Sequence, residues 1–354
     1  MKSSLQKVGR TRGFVTLALV SALLLTAAAG CGNQGSRTQP SPAEPLKGKT
    51  ITLIVPYSPG GGFDTYARLI QPYLAKYSGA TVVVQNVPGG GSIIGSNQLY
   101  ASKADGLTIG IMGGVSLMFA QTAGTSGIKF DIAKYTWLGR LSADPSVLLV
   151  SAKKPYQTVD DLKKAPELKL GVTGVGEDDF YTWAVLAKAF GINNYKMVTG
   201  WEGSSQWLAA VSAGQLDGGE ISAGSAQNPV ANGFARVIFQ VAPKRDSRFP
   251  DVPTALELMP ANDPNRGLVE AITNILAADR VLAAPPGLSP ELTKTLREAV
   301  QKAANDSEFV DKAAKAKRPV AFLGGEELQK TIEGGMAKAQ ELKPIFDAAA
   351  EKAK

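Results

Sequence analysis

The sequence predicts an α/β protein. Three observations carry that prediction: strand-like and helix-like segments alternate, glycine-rich turns join them, and the first such unit is repeated. Residues 51–55 (ITLIV) are a short β-branched run, 59–62 are Pro-Gly-Gly-Gly, and 63–74 have helical spacing. The same order returns at 82–84, 88–91 and 93–100. Strands and helices taken alternately favour a largely parallel sheet. Glycine lets backbone approach a ligand closely, and the helix start behind it carries N–H groups without intrahelical partners. With the positive end of the helix dipole, those donors suit an anion. One such turn is an ordinary connection; two suggest strand ends opening into one ligand crevice.

The remaining elements follow the same logic. Residues 107–112 are a third strand, ending at Gly113-Gly114-Val115-Ser116. The apolar runs 136–141 and 147–151, with Asp144-Pro145 between them, fit a crossing between domains. A second series then begins: strand 168–173, helix 179–190 stopped by Gly191, strand 196–199, helix 205–213, and strands 216–222 and 236–242. Residues 275–284 read as a return crossing, ended by Pro285-Pro286-Gly287. Ser289-Pro290-Glu291 starts a helix, and 326–346 supplies the last helical segments. A first lobe that leaves and returns is expected over 48–144 and 272–354, with a continuous second lobe over 145–271.

Composition narrows the function. The 354 residues are 44% hydrophobic and 19% charged, enough for two packed domains. There is no histidine, and the single cysteine is Cys31. Ser-His-Asp and Cys-His catalysis are therefore excluded, as are the usual zinc, copper and haem ligand sets. No GxxxxGK[ST] loop supports ATP hydrolysis, and no EF-hand loop is present, although an all-oxygen cation site stays open. Neither a cofactor nor a catalytic residue is expected.

The N-terminus reads as an address. Residues 1–30 have a basic start and an apolar run from Phe14 to Ala29, the layout of an export signal. The run is shorter than the ~20 residues of a spanning helix. Ala28-Ala29-Gly30-Cys31 resembles a lipobox, which makes Cys31 the expected lipidation site. Residues 31–47 then read as a flexible tether spanning roughly 20 Å. Removing the four cations of the signal lowers the formal charge from +7 to +3. The remaining Lys and Arg form no basic stripe, so nucleic acid is not an expected partner.

The segments IVPYSPGGGFDTYARLI, VVVQNVPGGGSIIGSNQLYASKADGLTIGI, GQLDGGEIS and RFPDVPTALEL occur in the order and spacing of the Bug receptors, the substrate-binding proteins of tripartite tricarboxylate transporters. The resemblance covers residues 48–345. It implies a two-lobed, periplasmic-binding-protein-like clamshell that captures a small carboxylate in the interlobe cleft and presents it to a membrane permease. It also implies ligand contacts from Tyr57, Ser58, Gly60, Gly61, Phe63 and Asp64 in the first turn. Gly89, Gly90, Gly91 and Ser92 follow from the second turn. Thr173, Val175, Gly176, Asp178, Glu220 and Ser222 follow from the second lobe. The protein is then expected in the cell envelope, lipid-anchored and extracytoplasmic.

Several of these residues carry a second reading. An acid at a helix start most often caps the helix, the main role expected of Asp64. Phe63 is either a pocket wall or a core residue on the face of Ala67 and Ile70. Trp201 and Trp207 are expected to be packed. The chain departs from the resemblance at Gly176-Glu177-Asp178-Asp179, where the family tends to small polar residues. Acids in a first helical turn are favoured by its dipole, and two of the three are assigned that role. An acid facing the cleft instead would repel a second ligand carboxylate. The ligand is then expected to be a monocarboxylate, or a carboxylate whose far end is a hydrogen-bond donor or amine. Two rivals remain: an enzyme using Asp178, Glu220 and Asp64, and a ligand sensor for a signalling partner.

Overall fold

A computed structural model describes residues 44–353. The expected export signal, Cys31 and most of the expected tether lie outside the described residues. After a helical turn at Glu44–Leu46 come β1 (Thr50–Val55), α1 (Gly62–Ser78), β2 (Thr81–Asn86), α2 (Ile93–Tyr100), β3 (Thr108–Met112) and α3 (Gly114–Ala123). A turn at Ile132–Lys134 leads to β4 (Thr136–Arg140). Next are β5 (Ser146–Ser151), α4 (Val159–Lys164), β6 (Leu168–Gly171), α5 (Asp178–Phe190), β7 (Tyr195–Val198) and α6 (Ser204–Ala213). β8 (Gly218–Ser222), α7 (Ala223–Ala231), β9 (Ala235–Val241) and α8 (Arg266–Ile275) follow. After a turn at Leu276–Ala278, the chain ends with β10 (Val281–Ala284), α9 (Pro290–Ala304), α10 (Ser307–Lys315), β11 (Leu323–Gly324) and α11 (Gly325–Lys352). Among the described residues, no helix is long and apolar enough to cross a membrane.

The strands form two mixed sheets. The first has the order β11-β4-β10-β3-β1-β2, with β1 parallel to β2 and β3, and β10 antiparallel to β3 and β4. The second has the order β7-β6-β8-β5-β9, with β6 parallel to its neighbours and β5 antiparallel to β8 and β9. The chain leaves the first sheet between β4 and β5 and returns between β9 and β10. The two crossings touch: the Leu141 N–H donates to the Arg280 carbonyl at 2.9 Å.

Local chemistry explains the elements. β1, inside the first sheet, is buried on both faces, as its unbroken apolar run requires. β2, at the edge, alternates in burial and exposes Val83. The start expected at Ser289-Pro290 is present: Ser289 accepts the Leu292 N–H at 3.2 Å, and Pro290 takes the first helical position, where no N–H is needed.

The return crossing differs from the expected strand. Residues up to Ile275 are helical, and only Val281–Ala284 pairs as β10. Val269, Ile272 and Ile275 form one buried stripe of α8, so an apolar run read as a strand continues a helix face. Residues 326–346 belong to one 28-residue helix. This α11 packs on α3 and β4 and also on α5 and α8, and so touches elements around both sheets. Its Phe346 ring lies 4.9 Å from Phe119 of α3 and 4.4 Å from Tyr181 of α5.

Candidate functional site

The turns at the strand ends of the two sheets meet around a narrow cavity of about 60 Å³. Typical small-molecule pockets are roughly 300–1,000 Å³, so the two sides stand closed on each other. The Ser58 N–H donates to the Glu202 carbonyl across the cleft at 3.1 Å. Gly91 and Gly174 touch backbone to backbone: a Cβ on Gly174 would lie 3.1 Å from the Gly91 Cα. Only residues without side chains close that contact.

Four helices begin at this cavity: α1 at Gly61 and Gly62, α5 at Glu177 and Asp178, α6 at Gly203 and Ser204, and α7 at Ser222. None is capped by the side chain of its own N-cap residue; the Asp178 N–H of α5 donates to Ser116 at 3.2 Å and the Gly224 N–H of α7 to the Asp144 carboxylate at 3.1 Å, and the helix dipoles point at the cleft.

The first turn supplies an aromatic wall. Tyr57 stacks on Phe63 at 4.5 Å, and the Arg280 guanidinium lies 4.4 Å from the Phe63 ring centre. Phe63 is thus a wall of the cavity. Asp64 points back into its own turn. It accepts the Gly60 N–H at 2.9 Å, pairs with Arg68 at 2.9 Å and accepts from Asn86 at 3.0 Å. Burial works against its ionisation, but Arg68, the Gly60 N–H and Asn86 outweigh it and hold the carboxyl below its usual range.

The second-lobe turn does the opposite. Glu177, 1% exposed, reaches across the cleft and accepts from the Tyr57 hydroxyl at 3.0 Å and the Ser116 hydroxyl at 2.8 Å. Its other oxygen has no partner among the described residues. The Ser116 hydroxyl also lies 3.2 Å from the Asp178 carboxylate and accepts the Asp178 N–H at 3.2 Å. Asp179 closes its own turn by accepting from the Thr173 N–H at 2.7 Å and hydroxyl at 2.8 Å.

Two further carboxylates complete the floor: Glu220 on β8, and Asp279 just before β10, paired with Arg280. Arg280 is buried, holds φ = +52°, a conformation costly for a residue with a side chain, and leaves its Nε without a partner among the described residues. Ser58 Oγ is likewise unpartnered.

Burial, with like charges close by, raises the acids. Glu177 is pushed up to about 7, by burial first and then by Asp178. Glu220 rises to about 8 and Asp279 to about 6, again chiefly by burial. Asp178 is raised by burial despite Arg280 and Ser116, and Asp179 well above its usual value by burial, Asp178 and Glu177. Burial would depress Arg280, but Asp279 and Asp144 outweigh it and its pKa is raised.

Of the residues expected to bind, the structure brings Tyr57, Ser58, Gly61, Phe63, Thr173, Asp178, Glu220 and Ser222 to the cavity. Gly60, Asp64, Gly89, Gly90, Gly91, Ser92, Val175 and Gly176 do not line it. Gly91 lies against the Glu177 side chain, which stands between the second turn and the cavity. Trp207 is fully buried, and Trp201 donates to the Val198 carbonyl at 2.9 Å. Sequence reasoning missed Asp279 and Arg280. Their one signal is a charged pair interrupting the apolar run 275–284.

A family model described as "Tripartite tricarboxylate transporter family receptor" (TctC) matches residues 66–344. The chain is similar to the protein BugT of Bordetella pertussis, at 25% identity over 296 residues, 79% of this chain and 84% of that one. Among solved structures it is similar to MatC of Rhodopseudomonas palustris with bound malate, with TM-score 0.67 and 21% identity over 85% of this chain and 98% of that one. It is also similar to an R. palustris protein with adipate, with TM-score 0.69 and 20% identity over 84% and 97% of the two chains. At these identities the two structures speak for the fold.

Proposed function

The chain belongs to the tripartite tricarboxylate transporter receptor family, and from that premise we propose that it captures a small organic carboxylate between hinged lobes and delivers it to a membrane permease. The lobes are taken as 48–144 with 272–354, and 145–271. Family and fold are those of solute-binding receptors, and no step of the proposal needs a reacting residue. The observation that carries the carboxylate is Arg280: a buried guanidinium whose Nε has no partner among the described residues, at a cavity where four helices begin. The similar proteins with malate and adipate support a solute of this size and charge.

Because the cleft is narrow when closed, capture requires the lobes to part and shut again, expelling water and strengthening each hydrogen bond to the solute. The sequence of residues 1–47 supports placement on the outer side of a membrane, with Cys31 as the lipid attachment and residues 31–47 as the tether. A thermal-shift screen of the purified protein against mono-, di- and tricarboxylates tests the reading, since ligands of the native state raise its apparent stability. A rise with one of them that vanishes in Arg280→Met is expected. No rise with any carboxylate would sink the proposal.

A further inference from the structure

We propose that Glu177 is a built-in, proton-controlled latch of the cleft. The second lobe carries it, and it seats in a socket of hydroxyls on the first. The proposal rests on the hinged-lobe reading above and adds a control of closure that belongs to the chain itself.

The socket comes from repetition. β1 runs parallel to β2 and β3, so the three strands end at the same side of the sheet. The turn after each sends a residue to Glu177. Tyr57, after β1, donates to it at 3.0 Å. Ser116, in the first turn of α3 after β3, donates to the same oxygen at 2.8 Å. Ser92, in the turn after β2, adds a hydroxyl that favours the ionised carboxyl. Glycine makes room for the side chain. A Cβ on Gly91 would lie 3.2 Å from the Glu177 Cγ, and one on Gly113 only 3.0 Å from the Tyr57 hydroxyl and 3.1 Å from Ser116 Oγ. Glu177 stands at the N-cap position of α5 yet does not cap that helix. Both hydroxyls that donate to it come from across the cleft, so parting the lobes removes both at once. Asp179, bonded to Thr173, loses nothing by the same movement.

Seating the carboxyl withdraws it from water and sets it beside Asp178, which together push its pKa up to about 7. An open cleft returns it to water and to the ordinary carboxyl range. Between those two values the seated group keeps a proton that the open one has lost. Closure is therefore strongest at low pH and weakens as pH rises through about 7. Facing Glu177 are Asp178 and Asp179 on its own turn, Tyr57 from the first turn, Glu220 from β8, and Asp279 with Arg280 from the return crossing. Burial, then Glu177 and Asp178, keep Tyr57 neutral and a donor throughout. The other raised acids oppose closure in the same direction, so the test has to isolate Glu177.

The Ser58 amide donates to the Glu202 carbonyl across the cleft, so its hydrogen exchange reads closure directly. Small-angle scattering reads the same movement as a radius of gyration. Both are measured at about pH 5.5 and 8.5, in buffer without carboxylates, on the unaltered protein, Glu177→Gln and Glu177→Ala. Glutamine keeps an acceptor for both hydroxyls but cannot ionise. From the lower to the higher pH, the unaltered protein is expected to lose about tenfold more protection at Ser58 than Glu177→Gln does. Glu177→Ala is expected to expand and exchange faster at both. Equal pH dependence in the unaltered and glutamine proteins would overturn the proton control. An alanine variant as compact and as protected as the unaltered protein would overturn the latch. If that variant fails to fold, judged by its melting, Tyr57→Phe with Ser116→Ala empties the socket from the other lobe and decides in its place. No solute enters these measurements, so a failed latch leaves the carboxylate screen untouched, and a failed screen leaves the latch standing.

Discussion

The first turn, residues 57–64, and the second-lobe turn, residues 173–179, are built alike: a strand end, glycine, and acid at the start of a helix. Their electrostatics are opposite. Asp64 is held below its usual pKa and serves its own turn, while Glu177, Asp178 and Asp179 are all raised. The difference lies one helical turn onward. Four residues after Asp64 stands Arg68, a cation within reach on the same face. Four residues after Glu177, Asp178 and Asp179 stand Tyr181, Thr182 and Trp183, all buried and none cationic. An acid in a first helical turn is thus a cap when its own helix offers a counter-charge. Without one, Glu177 and Asp178 turn to Ser116 across the cleft, and Asp179 to Thr173 of its own turn.

The largest test of that contrast compares the two arginines. Arg280→Met leaves buried acids without their guanidinium and should cost about 3–5 kcal/mol in urea unfolding at neutral pH. Arg68→Met, at a half-exposed side chain, should cost less than about 1 kcal/mol. Equal losses would break the comparison.

Next comes pH. The raised acids keep protons in the folded state that the unfolded chain has already lost near its ordinary carboxyl range. Stability should therefore be greatest at low pH within this window and fall from pH 5 to 8. Each kcal/mol lost lowers the melting temperature by about 2–4 °C, so a drop of several degrees is expected in the unliganded protein. With no histidine in the chain, side-chain titration in that window belongs to the cleft acids. A flat or rising melting profile over pH 5–8 contradicts this. Asp64 works the other way: its lowered pKa adds stability above the usual carboxyl range and loses it as acid protonates the group.

Tyr57→Phe removes one of the hydroxyls on buried Glu177 and should cost about 1–3 kcal/mol, with the loss reduced in an Glu177→Gln background. A full loss there means the hydroxyl serves something else. Smallest is Asp64→Ala, expected at about 1 kcal/mol with ligand affinity unchanged; weaker ligand binding would place Asp64 in the cleft after all.

Much of the fold was legible because apolar β-branched runs lie between glycine turns, and because Gly191 and Ser289-Pro290 mark helix ends chemically. α3 was not, since Val115, Leu117, Met118 and Phe119 are all buried and leave no amphipathic period to read. The site was half legible. Backbone turns announced Tyr57, Ser58 and Gly61, whereas Arg280 sits in an apolar run whose strand signal hid it. Glu177 and Tyr57 are 120 residues apart, and no local pattern encodes that meeting. The acids of 177–179 were visible, but two of them could be given ordinary dipole roles. The structure leaves Asp179 in local duty, while Glu177 and Asp178 meet Ser116.

α11 adds a mechanical consequence. Phe346 lies between Phe119 and Tyr181, so the hinged opening proposed above would roll these aromatic faces over one another. The receptor's gape is then governed far from its guest. Trimming Phe346 to alanine should change how readily the jaws swing, even though that ring never meets what they hold.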